Sequence, residues 1–102
     1  GTLVPEQKDD FERMLIAQPN SSFLWVQYMA FHLQSADVDS ARSVAARALR
    51  TIDYREEDEK YNVWIALLNM EHKYGSMETL EKAFTSAVAE SKGKYIYLAM
   101  AT

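Results

Sequence analysis

Residues 19–51 read PNSSFLWVQYMAFHLQSADVDSARSVAARALRT, and the pattern of this stretch returns 39 positions further along the chain. In that register Trp25 falls on Trp64, and Asp37 falls on Ser76. The other matched pairs are apolar: Phe31 with Met70, Val44 with Ala83, Ala48 with Ala87, and Leu49 with Val88. A period of about 20–50 residues is typical of an array of repeated helical or β units. The sequence therefore predicts a repeat protein.

The first full repeat, residues 20–52, is predicted to be a hairpin of two helices, named A and B. Pro19 marks a stop, and the polar residues after it can cap helix A, which we expect from about Ser22 to Gln34. Helix B follows Asp37, whose carboxylate can accept a hydrogen bond from a free first-turn amide, and extends to about Thr51. Its apolar residues form one stripe at helical spacing: Ala41, Val44, Ala45, Ala48, Leu49 and Ile52.

The second repeat, residues 56–90, follows the same scheme. Its helix A is predicted from about Glu56 to Tyr74 and ends at Gly75, which suits the left-handed position that closes many helices. Its helix B is predicted from about Met77 to Glu90, with an apolar face formed by Leu80, Ala83, Phe84, Ala87 and Val88. A lone B helix at residues 5–17 precedes the two repeats, and residues 94–102 begin another A helix. We therefore expect the chain to begin and end inside repeats.

The two A helices carry apolar side chains on nearly every side. Residues 23–31 are apolar apart from Gln27, and residues 63–68 are apolar without interruption. A helix that is apolar all round is covered all round. In a repeat array, such a helix lies between its own partner and the neighbouring repeats. The predicted fold is all-α: a single α-solenoid of antiparallel helix hairpins, with Trp25 and Trp64 in its core.

The composition excludes several classes of function. Cysteine is absent, which rules out disulfides, thiolate metal sites and a cysteine nucleophile. The net charge of −4 provides no broad basic field for indiscriminate nucleic-acid binding. No apolar run approaches the roughly 20 residues that a membrane span needs. We therefore expect a soluble, intracellular protein that makes no membrane contact.

Catalytic chemistry has little support in the sequence. His32 and His72 lie on different A helices, and neither has a second ligand at the spacing of a helical metal site. Asp9 and Asp10 are adjacent, so on a helix their carboxylates diverge. The three scattered glycines cannot form a phosphate-binding loop. We predict a protein that is not an enzyme, with no catalytic residue, cofactor or metal ligand.

Two charged features are candidates for partner binding. Arg42, Arg47 and Arg50 fall within an arc of about 140° on the first B helix, opposite its apolar stripe. Such a face is ordinarily solvated, but it is also a candidate docking stripe for RNA phosphate or an acidic protein segment. The acidic run at residues 56–59 is interpreted as first-turn residues that favour the positive end of a helix dipole. A site for a basic partner is the alternative.

These residues resemble the half-a-TPR (HAT) repeat. Helix A with Trp25, Tyr28 and Phe31, followed by Ala41-Arg42 and Arg47-Ala48-Leu49 in helix B, matches the pattern of that family. The second repeat keeps the pattern at Trp64, Met70, Ala83 and Ala87. It departs from the pattern at Leu67 and Ser86, which replace the family's tyrosine and arginine, and His32 replaces an acid in the first repeat. Residues 19–33 and parts of residues 55–69 are similar to the helical tail of a large nucleolar member with OB-type RNA-binding domains.

The resemblance implies a scaffold in eukaryotic RNA processing. It implies a nuclear, nucleolar protein that joins proteins of the pre-ribosomal small-subunit processing machinery and has candidate contacts with pre-rRNA. The alternatives are a HAT scaffold of a splicing or mRNA 3′-end complex, and a helical repeat that binds RNA directly. An array cut within a repeat exposes apolar surface. We therefore expect self-association through the chain ends, at Phe11, Met14 and Leu15 and at Tyr95, Tyr97 and Met100.

Overall fold

A computed structural model describes residues 7–91, and this part of the chain forms five α-helices and no β-strand. The helices are α1 (Lys8–Ala17), α2 (Ser22–Leu33), α3 (Val38–Thr51), α4 (Glu57–Tyr74) and α5 (Met77–Ser91). The predicted all-α class is confirmed, and the four helices α2 to α5 agree with their predicted limits to within a residue. The first helix begins later than predicted, because Gln7 is extended and α1 starts at Lys8 rather than at residue 5. The predicted A helix at residues 94–102 lies outside the described residues.

The starts of α2, α3 and α5 follow the predicted capping residues, whereas Gln7 before α1 and Glu56 before α4 make no side-chain capping bond. The Ser21 hydroxyl accepts a hydrogen bond from the Leu24 amide, 3.4 Å away, at the start of α2. At α3 the Asp37 carboxylate accepts one from the Ser40 amide at 3.1 Å, and the Ser76 hydroxyl accepts one from the Thr79 amide at 3.2 Å. Each bond satisfies an amide that the helix itself leaves free. Short polar connections therefore set where these three helices begin.

The prediction for Gly75 was wrong. Its φ of −94° and ψ of −158° are extended rather than left-handed. Glycine fits this position because it has no side chain. A β-carbon here would collide with the Glu71 carboxylate and the Thr79 hydroxyl. The left-handed residue at a helix end is instead Ala36, with φ 57°, in the connection after α2.

The helices pack in an order that places α2 and α4 in the interior. α2 contacts α1, α3 and α4, and α4 contacts α3 and α5 as well. Trp25, Tyr28 and Val63 are among the largest side chains with almost no exposed surface. The predicted stripe of α3 faces this core, and all of its members are buried except Leu49, which is half-buried.

Full coverage of α2 was predicted, and Phe23 and Ala30 contradict it because both are exposed. The neighbours α1, α3 and α4 leave one side of α2 open. By contrast, residues 63–68 of α4 are all buried or half-buried, as expected. The N-terminal end is also less open than predicted, because Phe11 and Leu15 are buried and Met14 is half-buried.

Candidate functional site

Arg47 forms a two-pronged ion pair that joins two B-type helices. Its Nη1 lies 2.7 Å from Glu12 Oε2 and its Nη2 lies 2.9 Å from Glu12 Oε1. The guanidinium carbon also lies 5.4 Å from the ring centre of Trp25. Arginine suits this position because its planar fork matches a carboxylate while its face stacks on an aromatic ring. The side chain therefore connects α3 to α1 across the surface of α2.

Tyr28 completes this network from α2. Its hydroxyl donates a hydrogen bond to Glu12 Oε2 at 2.6 Å, and its ring stacks on Phe11 with centroids 4.9 Å apart. The hydrogen bonds from Arg47 hold the pKa of Glu12 at about 2. Burial, followed by the bond to Glu12, raises the pKa of Tyr28 to about 12. At neutral pH the network is therefore a carboxylate that accepts three hydrogen bonds, two from Arg47 and one from Tyr28.

The second repeat has no equivalent of this network. The positions 39 residues after Glu12, Tyr28 and Arg47 hold Thr51, Leu67 and Ser86. The departures from the HAT pattern at Leu67 and Ser86 thus fall on positions that cooperate in the first repeat. Thr51 has no carboxylate to bind a phenol or a guanidinium, and in the structure Leu67 is half-buried and Ser86 is exposed.

Arg42 and Glu71 form another two-pronged pair, between α3 and α4. Arg42 Nε lies 2.8 Å from Glu71 Oε2, and Arg42 Nη2 lies 2.9 Å from Glu71 Oε1. Glu71 is buried, and the bonds from Arg42 lower its pKa. Arg42 Nη1 also contacts the exposed Asp39 at 3.0 Å. His32, one repeat before Glu71, instead stacks on the Tyr28 ring with centroids 5.2 Å apart.

The three candidate docking arginines therefore differ in their surroundings. Arg42 and Arg47 direct donors at carboxylates of the same chain, whereas Arg50 is exposed and no partner for it is seen between residues 7 and 91. An incoming phosphate would have to compete with Glu71 and Glu12 for the first two. The docking role of the three stays a prediction. Glu12 and Glu71 were not identified from the sequence as their partners.

The remaining candidates from the sequence are the acidic run at residues 56–59 and His72. Glu57, Asp58 and Glu59 are in the first turn of α4, and Glu59 also accepts a hydrogen bond from the Ser22 hydroxyl. His72 is exposed. Within residues 7–91, no group of three histidine or acidic side chains is placed to hold a metal ion. None of the described helices is long and apolar enough to cross a membrane.

Stability is expected to fall in acid through Glu12. Its folded-state pKa of about 2 lies below the ordinary value of 4.5, so the ion pair contributes stability above pH 4.5 and loses it as the pH falls toward 2. Because the pair is partly exposed, we expect a contribution of about 1 kcal/mol rather than the full shift. In urea unfolding at a series of pH values, the free energy of unfolding should fall more steeply with decreasing pH for the parent than for Glu12→Gln. Equal slopes for the two proteins would contradict this.

The chain is similar to proteins of rRNA biogenesis. It is 55% identical over 97 residues to each of two proteins named Protein RRP5 homolog, from mouse and human, which covers 95% of this chain and 5% of each relative. It is 50% identical over 94 residues to the rRNA biogenesis protein rrp5 of Schizosaccharomyces pombe, covering 92% of the chain and 6% of the relative. The chain thus spans a small fraction of these relatives' length. No protein-family model matches it, so the HAT assignment stays a prediction.

Proposed function

The chain is homologous to one segment of the RRP5 proteins, and on that basis we propose that it is a non-catalytic docking module of rRNA biogenesis. Its role is to hold proteins of the pre-ribosomal machinery in place during pre-rRNA processing and small-subunit assembly, in the nucleolus. The observation that carries this is the identity of 55% across 95% of the chain with the mouse and human relatives. Relatives named for rRNA biogenesis favour this role over a splicing or 3′-end complex.

The proposed architecture is a HAT-type α-solenoid. Its support is the sequence period of 39 residues together with the packing order, in which α2 and α4 each contact the B helices that precede and follow them. In such an array each repeat contacts only its neighbours, and the result is an extended surface. A docking module needs a surface that keeps its shape without its partner, because ordering on binding weakens affinity.

The two ion pairs support a rigid surface. Arg47 joins α3 to α1, and Arg42 joins α3 to α4, so each crosses between repeats. Two-pronged pairs fix relative orientation as well as distance. Two of the three arginines of α3 thus set the geometry between helices.

The second candidate is direct RNA binding through Arg42, Arg47 and Arg50, which share the α3 helix. Under the proposed function, the chain should bind short single-stranded RNA weakly and without sequence preference. Protein and RNA are to be titrated at about 50 and 200 mM salt, because phosphate contacts lose affinity steeply over that range. Replacement of Arg50 by alanine is the sharpest variant, since the other two arginines also hold the fold.

The outcomes separate the two candidates. Weak binding that is lost at the higher salt, with little change for Arg50→Ala, is the expected result. Tight binding that persists at the higher salt and is lost in the Arg50→Ala variant would favour the RNA-reading function instead. Arg13→Ala is the matched control, because Arg13 is an exposed arginine on α1 outside the proposed stripe.

A further inference from the structure

Three large apolar side chains are exposed at one end of the helices. Ile16 in the last turn of α1 is 83% exposed, Phe23 in the first turn of α2 is 68% exposed, and Tyr54 between α3 and α4 is 73% exposed. Helices joined by such short connections run antiparallel. The end of α1, the start of α2, the end of α3 and the start of α4 therefore lie on the same side of the molecule.

Hydrogen bonds connect the helix ends and loops that carry these side chains. The Asn20 side-chain carbonyl, in the α1–α2 connection, accepts from the Asp53 amide in the α3–α4 connection at 2.8 Å. The Ser22 hydroxyl, next to Phe23, accepts from the Asn62 side chain at 3.0 Å and donates to Glu59. These bonds hold the first turn of α2 against the first turns of α4. We call this end of the helices the loop edge, and define it by Ile16, Phe23 and the exposed residues between 50 and 58.

The loop edge is acidic. Between residues 50 and 58 there are four exposed carboxylates, from Asp53, Glu56, Glu57 and Asp58, against the two exposed arginines Arg50 and Arg55. Arg55 lies over the Tyr54 ring, 5.6 Å from its centre, and its Nε donates to the Tyr54 hydroxyl. Such a charge balance repels RNA phosphate and attracts a cationic protein segment.

We propose that the loop edge docks a lysine- or arginine-rich protein segment whose own apolar side chains cover Ile16, Phe23 and Tyr54. This rests on the proposed docking function and specifies its surface and the chemistry of the partner. The apolar side chains supply binding energy when water is removed from them. The surrounding carboxylates select a partner of positive charge and speed its approach. Aromatic side chains that become buried are the residues that most often dominate such interfaces.

The opposite end of the helices provides a matched control. Tyr74 and Met77, at the turn between α4 and α5, are exposed as well, with Met77 at 71%. Isolated exposed apolar residues are common on protein surfaces. Binding to the loop edge therefore has to be distinguished from binding to any exposed aromatic and aliphatic pair.

The test uses a labelled amphipathic peptide of leucine and lysine, about 18 residues long, which forms one apolar and one basic face. A peptide with glutamate in place of lysine, and oligouridine, are the other probes. Binding to the chain is measured by fluorescence anisotropy. Three double variants are compared. Two change the loop edge, Phe23→Ser with Tyr54→Ser and Glu56→Gln with Glu57→Gln, and the control is Tyr74→Ser with Met77→Ser. Circular dichroism checks that each variant keeps the parent's helicity.

Of the three probes, we expect only the lysine peptide to bind. Either loop-edge variant should raise its Kd about tenfold, which corresponds to about 1.4 kcal/mol of binding free energy. The control variant should bind like the parent. Equal binding to all variants would overturn the proposal, as would oligouridine binding that is lost with Phe23 and Tyr54. If the loop edge fails this test while the chain still replaces its matching segment in the fission yeast relative, the inference fails and the proposed function stands.

Discussion

Replacing Trp25 with alanine is expected to lower the free energy of unfolding by about 3–5 kcal/mol, the usual cost of truncating a packed tryptophan. Trp25 is almost fully buried, and its Nε1 donates a hydrogen bond to the Pro19 carbonyl at 2.9 Å. It also supports the guanidinium of Arg47. For a small domain, this loss is a large part of the total stability. Urea unfolding followed by circular dichroism measures it, with Ile16→Ala as a control because Ile16 is mostly exposed.

Trp64, at the same position of the second repeat, should also be essential to the core. It packs with Leu68 and Ala87, with Leu49 of α3 at the edge of the cluster. Its indole nitrogen is buried, and none of the described residues accepts a hydrogen bond from it. The Trp64→Phe variant should therefore lose less free energy of unfolding than the Trp25→Phe variant. A Trp64→Ala variant that unfolds like the parent would contradict the assignment of this side chain to the core.

Removing the carboxylate of Glu71 is also expected to have a large effect on the free energy of unfolding. Its side chain is 6% exposed, and it receives two hydrogen bonds from Arg42. Glu71→Ala leaves a partly buried guanidinium without its main partner, and breaking a buried pair in this way costs about 3–5 kcal/mol. Because Arg42 keeps Asp39 and is one-third exposed, we expect about 2–3 kcal/mol, below that range. Thermal and urea unfolding measure the loss.

Asp39 is the matched control for this prediction. It binds the same arginine at 3.0 Å, but its side chain is 94% exposed. Exposed pairs contribute little, so Asp39→Ala should cost less than about 1 kcal/mol. Comparable losses for the two variants would mean that burial does not set the strength of these pairs. A double-mutant cycle with Arg42→Met separates the pair from the packing of the arginine stem.

The helices could be predicted because their signals are local. The apolar stripe of α3 lies within a single helix, and the caps at Asp37 and Ser76 each lie within one turn. Gly75 was misjudged because its requirement comes from the volume of Glu71 and Thr79 beside it. The exposure of Phe23 depends on which helices surround α2, and periodicity along α2 does not contain that information.

The ion pairs could be predicted only in part. The HAT resemblance pointed to Tyr28 and Arg47, but Glu12, which binds both, is 35 residues before Arg47. Arg42 and Glu71 are likewise 29 residues apart. Pairing at this range depends on the packing of whole helices. A signal was present in the paired departures at Leu67 and Ser86, because the positions of both side chains that bind Glu12 differ together in the second repeat.

The central claim, a docking module required for rRNA biogenesis, is tested most directly in fission yeast. The matching 94 residues of the rrp5 relative are replaced by this chain, deleted, or replaced by the chain with Trp25→Ala, and pre-rRNA intermediates are measured by hybridisation. We expect the chain to support processing, and the deletion and the Trp25→Ala chain to accumulate precursor and lose small-subunit rRNA. Normal processing after the deletion would contradict the claim.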